Sequence, residues 1–356
     1  MEAEDFMADI QEKLKEKINP TMTVSDFNLL KVIGVGSYGK VLLVKKKDSG
    51  TIYALKMLRK GYIAKRMQVE HTLTERKVME IISHPFIIKL RYAFQNAKKL
   101  YFVLEYCPGG ELFYHLSSAS RFEEEKAKFY SAQIVLALKH LHENNIIYRD
   151  LKPENVLIDK TGYIKLTDFG LSKTEIKDNK SAQSFCGTPE YLAPEVLKHE
   201  GHGKAVDWWS LGAIIYEMLT GLPPFYSENK QKLFHNIKYA ELKYPPFISV
   251  ICENLLSQLF IKDPEKRLGA AGAEEVMEHP WFAHIEFDRL LSMEYRVPFK
   301  PSRGSGVPEK LCVEPQFLEM PPVDSCQEQS LPHLAQEDEH YAGFTFEGRK
   351  SNLLNK

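Results

Sequence analysis

Few features of a secreted or membrane-spanning protein are present in this sequence. The cysteines number five, an odd count, and none are spaced as CxxC, so the sequence predicts neither a disulfide framework nor a zinc site. No apolar run approaches the roughly 20 residues that a membrane-spanning helix needs. The N-terminus is acidic, unlike a signal peptide, and Glu2 stands where myristoylation requires glycine. We therefore expect a protein of the cytoplasm, with the nucleus as a second location.

A net charge of either sign is also missing, because 47 Lys and Arg face 48 Asp and Glu. Nucleic acids and anionic membranes attract proteins with a net basic surface, so we expect neither as a partner. Only residues 1–26 precede the first strand-like run, and we expect no lipid-binding domain within this chain. We expect the protein to act as a monomer.

The apolar pattern divides the chain into three segments. Residues 1–26 carry an apolar stripe that predicts a helical extension. Short β-rich runs with one charged helix predict a small antiparallel lobe over 27–105, and helical spacing predicts a larger lobe over 106–282. Residues 283–356 are rich in Pro, Gly, Ser and acidic residues, which indicates an extended tail. The expected fold is therefore α+β and two-lobed, with a main domain over 27–282.

A glycine-rich loop lies between two strand-like runs: Gly34, Val35, Gly36, Ser37, Tyr38, Gly39, Lys40, Val41. Glycines let the backbone approach phosphate oxygens and donate its amides to them. A dinucleotide-binding fold uses the same spacing, but its loop opens a helix, whereas KVLLVKK follows here and reads as a strand. The loop therefore predicts a phosphate site within a sheet.

Charged residues that suit phosphoryl transfer follow in a fixed order. Lys56 ends a strand, and Glu75 in the next helical segment can hold its ammonium against phosphates. Further along, the sequence YRDLKPEN contains Asp150, which can accept a hydroxyl proton, and Lys152, which can neutralise a transferred phosphoryl group. Asn155 in the same segment and Asp168 in DFG offer oxygen ligands to Mg²⁺.

This ordered set resembles the AGC serine/threonine protein kinases, most closely the Akt, SGK, S6-kinase and protein kinase C branch. The likeness extends from Phe27 to Phe346 and includes FCGTPEYLAPE, AVDWWSLG and GFTF; Tyr148 replaces the usual histidine. It implies a bilobal protein kinase fold that binds ATP and Mg²⁺ between the lobes, with Leu104 as gatekeeper. The ATP-site residues that it implies, beyond the glycine loop, are Ile33, Ala54, Lys56, Glu75, Leu104, Glu105, Cys107, Glu111, Leu157, Thr167 and Asp168.

The resemblance also implies how a substrate is selected. Glu111, Glu154 and Glu217 match the positions that bind arginines upstream of the phosphorylated residue, and carboxylates suit guanidinium recognition. Thr188 matches the residue whose hydroxyl lies against the catalytic aspartate in serine/threonine kinases. A pocket for the residue after the phosphoacceptor is expected from Phe185, Pro189 and Leu192.

Control by phosphorylation is implied as well. Ser184 matches the activating site, and its phosphate would bind Arg149, Lys173 and His71. Glu195 with Arg267, together with Asp207 and Trp209, match structural positions.

The tail resembles the AGC extension from the anchor Phe299-Lys300-Pro301 to the closing motif Tyr341–Phe346, in which Thr345 is the expected phosphosite. An upstream kinase is expected to dock at the tail or at the small-lobe groove. Met320-Pro321-Pro322 replaces a Thr-Pro-Pro phosphosite, which is therefore missing or moved to Ser325. No tail phenylalanine between 311 and 317 clearly matches the one that touches adenine.

Two other classes of protein share parts of this pattern. A pseudokinase scaffold would lose the phosphate-binding lysine or one of the two aspartates, but Lys56, Asp150 and Asp168 are all present. A small-molecule kinase would have little use for the peptide-docking surface that Ala193-Pro194-Glu195 indicates.

Overall fold

The small lobe is an antiparallel sheet. The computed structural model describes residues 22–36, 39–176, 178, 182, 186–301, 311–324 and 341–348. The small-lobe sheet has six strands: β1 (Phe27–Gly36), β2 (Gly39–Lys46), β3 (Ile52–Arg59), β4 (Leu90–Gln95), β5 (Lys99–Glu105) and β9 (Phe346–Glu347). Their order across the sheet is β1-β2-β3-β5-β4-β9.

Strand β5 has a core on each face. Leu100, Phe102 and Leu104 pack into the main hydrophobic cluster, which continues into the large lobe. Tyr101 and Val103 alternate with them and pack into a second cluster on the other face of the sheet. The strand is apolar along nearly its whole length because side chains alternate between two buried faces. Helices α1 (Lys60–Lys65) and α2 (Val69–Ile81) follow β3.

The large lobe is mainly helical, as its sequence predicts. Its helices are α3 (Leu112–Ala119), α4 (Glu124–Glu143), α5 (Pro194–Lys198), α6 (Ala205–Thr220), α7 (Lys230–Tyr239), α8 (Val250–Leu259), α9 (Ala273–Met277) and α10 (Phe287–Leu291). A small sheet carries the site loops: β6 (Gly110–Glu111), β7 (Val156–Ile158) and β8 (Ile164–Leu166). The side chains of Trp208 and Trp209 in α6 are completely buried, which fits a helix that is apolar almost all round.

The ion pair predicted to brace this lobe is present. Arg267 donates to both carboxylate oxygens of Glu195, at 2.7 and 2.8 Å, and both side chains are buried. Asp207 is buried too, and it accepts from the backbone amides of Tyr148 (2.9 Å) and Arg149 (2.8 Å). This carboxylate therefore fixes the backbone that enters the segment containing Asp150.

The tail crosses both lobes. Phe299 packs against His115, with ring centroids 4.6 Å apart. A Cβ at Gly162 would lie 2.2 Å from the carbonyl oxygen of Phe299, and Gly162 also has a φ of +93°, so glycine is required where the tail passes. Helix α11 (Pro315–Leu318) and β9 belong to the same tail.

The expected α+β, two-lobed fold is confirmed. The predicted helix within 1–26 lies largely outside the described residues, and the boundaries of the three segments stay predictions. Among the residues that the structure describes, no helix combines the length and apolarity needed to cross a bilayer.

Replacing Glu195 with alanine should destabilise the protein by about 3–5 kcal/mol, because it leaves the guanidinium of Arg267 buried without its partner. Urea unfolding followed by circular dichroism measures the change. Arg289→Ala removes an exposed pair with Glu286 and is the control, since its effect should be far smaller. Equal losses in the two variants would contradict a bracing role for Glu195.

Candidate active site

Lys56 links the sheet to α2 and to the DFG segment. Its Nζ lies 2.7 Å from Oε1 of Glu75 and 3.7 Å from Oδ1 of Asp168. Glu75 projects from the middle of α2 and is buried. The structure therefore joins three residues that lie far apart in the sequence, and the predicted lysine–glutamate pair is formed.

Lys56 and Asp168 stabilise each other's charged forms. Burial acts to lower the pKa of Lys56, but the carboxylates of Asp168 and Glu75 outweigh it and raise that pKa above its ordinary value. The ammonium of Lys56 in turn lowers the pKa of Asp168. Burial raises the pKa of Glu75, and Lys56 acts against that rise. At neutral pH Lys56 is therefore cationic and Asp168 anionic, the charge states required to bind phosphate and a divalent cation.

A second group of polar contacts surrounds Asp150. Lys152 donates from Nζ to Oγ1 of Thr188 at 2.9 Å, and the same Nζ lies 3.1 Å from Oδ2 of Asp150. Thr188 donates its hydroxyl to Oδ1 of Asp150 at 3.2 Å. Lys152 and Thr188 therefore form one connected group with Asp150, in addition to the group around Lys56.

The donor set fits a magnesium ion. The amide nitrogen of Asn155 donates to Oδ2 and to the carbonyl of Asp150, at 2.9 and 2.8 Å, so its amide oxygen is the atom that a cation can bind. The Asp168 side chain is half exposed, and the backbone amide of Thr167 donates to the carbonyl of Asn155 at 3.0 Å. One carboxylate and one amide oxygen leave positions for water and phosphate, which Mg²⁺ retains. No cluster of three or more His, Cys, Asp or Glu that could hold a metal occurs among the described residues.

The three glycines of the loop differ in how closely their neighbours pack against them. A Cβ at Gly36 would meet no atom within 4 Å, and one at Gly34 would make only ordinary contact with Val41, at 3.7 Å. A Cβ at Gly39 would lie 1.7 Å from the carbonyl oxygen of Met57. Packing therefore demands only Gly39, while the first two leave open space that a phosphate can use. Ser37 and Tyr38 lie outside the described residues.

The predicted adenine-binding residues lie where the lobes join. Ala54 and Leu104 are paired on β3 and β5, and Leu157 lies in β7. Glu105 uses its amide to donate to the carbonyl of Lys89 at 3.1 Å, and Cys107 uses its carbonyl to accept from Gly110 at 3.1 Å. The Glu105 carbonyl and the Cys107 amide take no part in these two bonds, and both are candidates to bind the edge of a base.

Comparison with protein families matches residues 27–282 to "Protein kinase domain". The chain belongs to the protein kinase family. "Protein kinase 2" of Dictyostelium discoideum is 50% identical over 337 residues, covering 94% of this chain and 70% of that protein. "Serine/threonine-protein kinase YPK1" of Saccharomyces cerevisiae is 45% identical, covering 94% and 49%. "Ribosomal protein S6 kinase alpha-6" of Homo sapiens is 46% identical, covering 93% and 44%, so the kinase spans about half the length of these last two relatives. The resemblance to the AGC serine/threonine kinases is confirmed.

Among the three predicted substrate carboxylates, Glu154 lies close enough to Glu111 and to Glu217 to affect the pKa of both. Glu111 keeps part of its surface exposed, and partial burial, followed by the charges of Glu154 and Glu314, raises its pKa to about 7. Burial and the charge of Glu154 also raise the pKa of Glu217 to about 7, against a lowering hydrogen bond from Tyr191. Oε2 of Glu154 is buried and has no hydrogen-bond partner among the described residues. Glu314, from the tail, was missed because only the fold brings it near Glu111.

The predicted apolar pocket is described only in part. Leu192 is buried and Pro189 is half-buried. Phe185 lies outside the described residues, so that pocket stays a prediction.

Arg149 lies at the centre of the predicted phosphate-binding cations. It donates to the carbonyl of Leu171 at 2.6 Å, and its NH1 lies 3.4 Å from Nε2 of His202. Burial and the charge of Arg149 lower the pKa of His71. Burial and Arg149 likewise lower the pKa of His202 to about 4. No sequence signal pointed to His202, which is brought here by its backbone pairing with Ala182. Ser184 lies outside the described residues.

The closing tail motif docks on the small lobe. Phe344 is buried and meets the ring of Phe102 edge-on, with centroids 5.2 Å apart. Arg76 of α2 donates from Nε to the carbonyl of Phe344 at 2.9 Å and lies over the ring of Phe346, 4.9 Å from its centroid. Tyr341 is buried as well, whereas Thr345 is exposed and Phe346 is half-buried.

Asp150→Asn should lower kcat by about a hundredfold or more, because the amide cannot accept the hydroxyl proton. Steady-state assays with a serine peptide measure it. Asp288→Asn, at an exposed position of α10, is the matched control and should leave kcat unchanged. Turnover near the wild-type value in a folded Asp150→Asn protein would exclude Asp150 as the proton acceptor.

Proposed function

We propose that this kinase transfers the γ-phosphate of ATP to serine or threonine in proteins that carry arginines before the acceptor residue. The observation that carries the proposal is the group of contacts joining Asp150, Lys152 and Thr188. A hydroxyl bound beside this group would have a carboxylate to accept its proton and an ammonium to stabilise the charge that develops.

The remaining residues position the nucleotide. Lys56, kept cationic by its two carboxylate neighbours, would bind the α- and β-phosphates. Asn155 and Asp168 would hold Mg²⁺, which when bound neutralises phosphate oxygens. The Glu105 carbonyl and the Cys107 amide would bind adenine. Phosphoryl transfer depends mainly on such positioning and electrostatic stabilisation, so these groups suffice for the chemistry.

Arginine recognition is supported by the closeness of Glu111, Glu154 and Glu217. Two of these carboxyls have a raised pKa because burial and a neighbouring carboxylate disfavour their charged forms. An arginine side chain would relieve that repulsion and form bidentate hydrogen bonds. The negative charge of these three carboxyls therefore favours a peptide that carries arginine.

Glu154→Gln should raise KM for an arginine-containing peptide by about tenfold, because it removes one charge-assisted contact while keeping the shape of the side chain. The KM of the same peptide with alanine at those positions should barely change. Glu253→Gln, at an exposed position on α8, is the control for the loss of one charge.

The same assay run from pH 6 to 8 tests the carboxyls directly. The pKa values of Glu111 and Glu217 are raised to about 7, so both lose negative charge as the pH falls through 7. The KM of the arginine peptide should therefore fall as the pH rises across this range.

Equal KM changes for the two peptides in Glu154→Gln would mean that Glu154 is structural and would refute the proposed preference.

We further propose that phosphates on Ser184 and Thr345, placed there by upstream kinases, activate the enzyme. A phosphate near Arg149 would bind its guanidinium and offset the positive charge that lowers the pKa of His71 and His202, so that protonation of both histidines would become more favourable. Docking of Phe344 beside Arg76 would favour the α2 position in which Glu75 reaches Lys56. The tail would thus act as an intramolecular ligand for a two-state helix.

Phe344→Ala should lower kcat, because burying one phenylalanine contributes on the order of 2 kcal/mol to docking. A chain that ends before Gln336 should lose activity similarly and recover part of it when a peptide with residues 341–348 is added. Phe247→Ala removes an exposed phenylalanine of the large lobe and is the control. A truncated chain with full activity and no response to the peptide would show that the tail only packs.

A further inference from the structure

The tail segment 311–324 contacts first the connection between the lobes and then the small lobe. A Cβ at Gly110 would lie 2.1 Å from the carbonyl oxygen of Cys312, so the segment passes directly over the joint between the lobes. Phe317 and Met320 then pack against the second hydrophobic cluster, which includes Tyr101. The contacts of Phe317 and Met320 are apolar and do not reach the end of the segment at residue 324.

The end of the segment meets a polar network on β5. Asp324 accepts from the ammonium of Lys99 with Oδ1 and from the hydroxyl of Tyr101 with Oδ2, the second at 3.0 Å. Asn96 donates to the same hydroxyl at 2.9 Å and accepts the amides of Lys98 and Lys99 at 2.9 and 2.8 Å. Both oxygens of one tail carboxylate therefore bind a structured turn of the small lobe.

Burial distinguishes this ion pair from an ordinary surface pair. The side chain of Lys99 is only 9% exposed and that of Asp324 only 21%, whereas exposed pairs contribute little to stability. Without the carboxylate, the ammonium of Lys99 would remain in a poorly solvated position without this partner. The carboxylate belongs to an encoded side chain, so this contact needs no modification of the tail, in which Met320-Pro321-Pro322 replaces a Thr-Pro-Pro phosphosite.

We infer that Asp324 is a positioning residue that latches segment 311–324 to Lys99 and Tyr101 without any phosphorylation. The latch keeps Glu314 beside Glu111, where the tail adds a carboxylate to the arginine-binding cluster. This second consequence rests on the proposed substrate preference, while the latch itself does not.

Hydrogen–deuterium exchange of the full-length chain tests the latch without using activity. In Asp324→Asn, amides of 311–324 should exchange on the order of tenfold faster or more, because a charge-assisted contact to a poorly solvated partner is lost. Lys99→Met should have the same effect, and the double variant should be no worse than either single variant. Asp324→Glu should preserve much of the slow exchange.

Asp263→Asn removes an exposed aspartate paired with Lys266 and is the matched control, with exchange in 311–324 expected to stay unchanged.

Steady-state kinetics then test positioning: Asp324→Asn should raise KM for the arginine peptide several-fold while kcat stays the same. Wild-type exchange in folded Asp324→Asn would overturn the latch. Faster exchange with an unchanged KM would overturn its role in substrate binding. If the wild-type kinase showed no arginine preference, the proposed function would fail while the exchange result still decided the latch.

Discussion

The ion pair between Lys56 and Glu75 is the contact on which the active geometry depends, because it joins two elements that share no backbone pairing. Lys56 belongs to a central strand whose position is fixed by its neighbours on both sides. Glu75 belongs to α2, a helix with a polar sequence and only part of its surface in the core. A carboxylate buried on such a helix is costly unless its partner is close. The position of α2 therefore determines whether the ammonium of Lys56 keeps its buried carboxylate partner, and the proposed phosphate site depends on that helix.

Consecutive residues of α2 face two different partners. Glu75 points toward Lys56, and Arg76, about 100° further around the helix, binds the carbonyl of Phe344 and covers Phe346. Strand β9 continues this contact as backbone pairing with β4, where Ala93 lies opposite Phe346. The tail therefore contacts both α2 and the edge strand β4. Rotation of α2 that breaks the Lys56 pair would also disturb the tail contact, which couples the two sites through one rigid element.

Residues that act within one local segment could be predicted from the sequence. YRDLKPEN and DFG contain their own spacing, and the structure brings Asp150, Lys152 and Asn155 together as that spacing indicates. Contacts across long loops could not be predicted in this way. His202 reaches Arg149 only through pairing of its backbone with Ala182, and Asp324 meets Lys99 across more than two hundred residues. Gly39 was predicted as a phosphate-binding glycine, yet its packing against Met57 already requires it, which no local pattern reveals.

The tail packs on the small lobe because both faces of the small-lobe sheet have to be covered. A sheet with two buried faces needs two covers, and α2 with the large lobe covers only one of them. On the other face, Phe317 and Met320 of the tail pack against the cluster around Tyr101, and the Asp324 carboxylate closes its polar edge. At the far edge of the sheet, Phe346 and Glu347 of β9 pair with the backbone of β4, which would otherwise be an open edge, and the side-chain amide of Gln95 in β4 donates to the carbonyl of Tyr341. The tail is therefore part of the small lobe's core, because Tyr341 and Phe344 are buried within its main cluster. The regulation proposed for the tail would use the same side chains, since release of Phe344 would also remove its contact with Arg76 on α2, the helix that holds Glu75 beside Lys56.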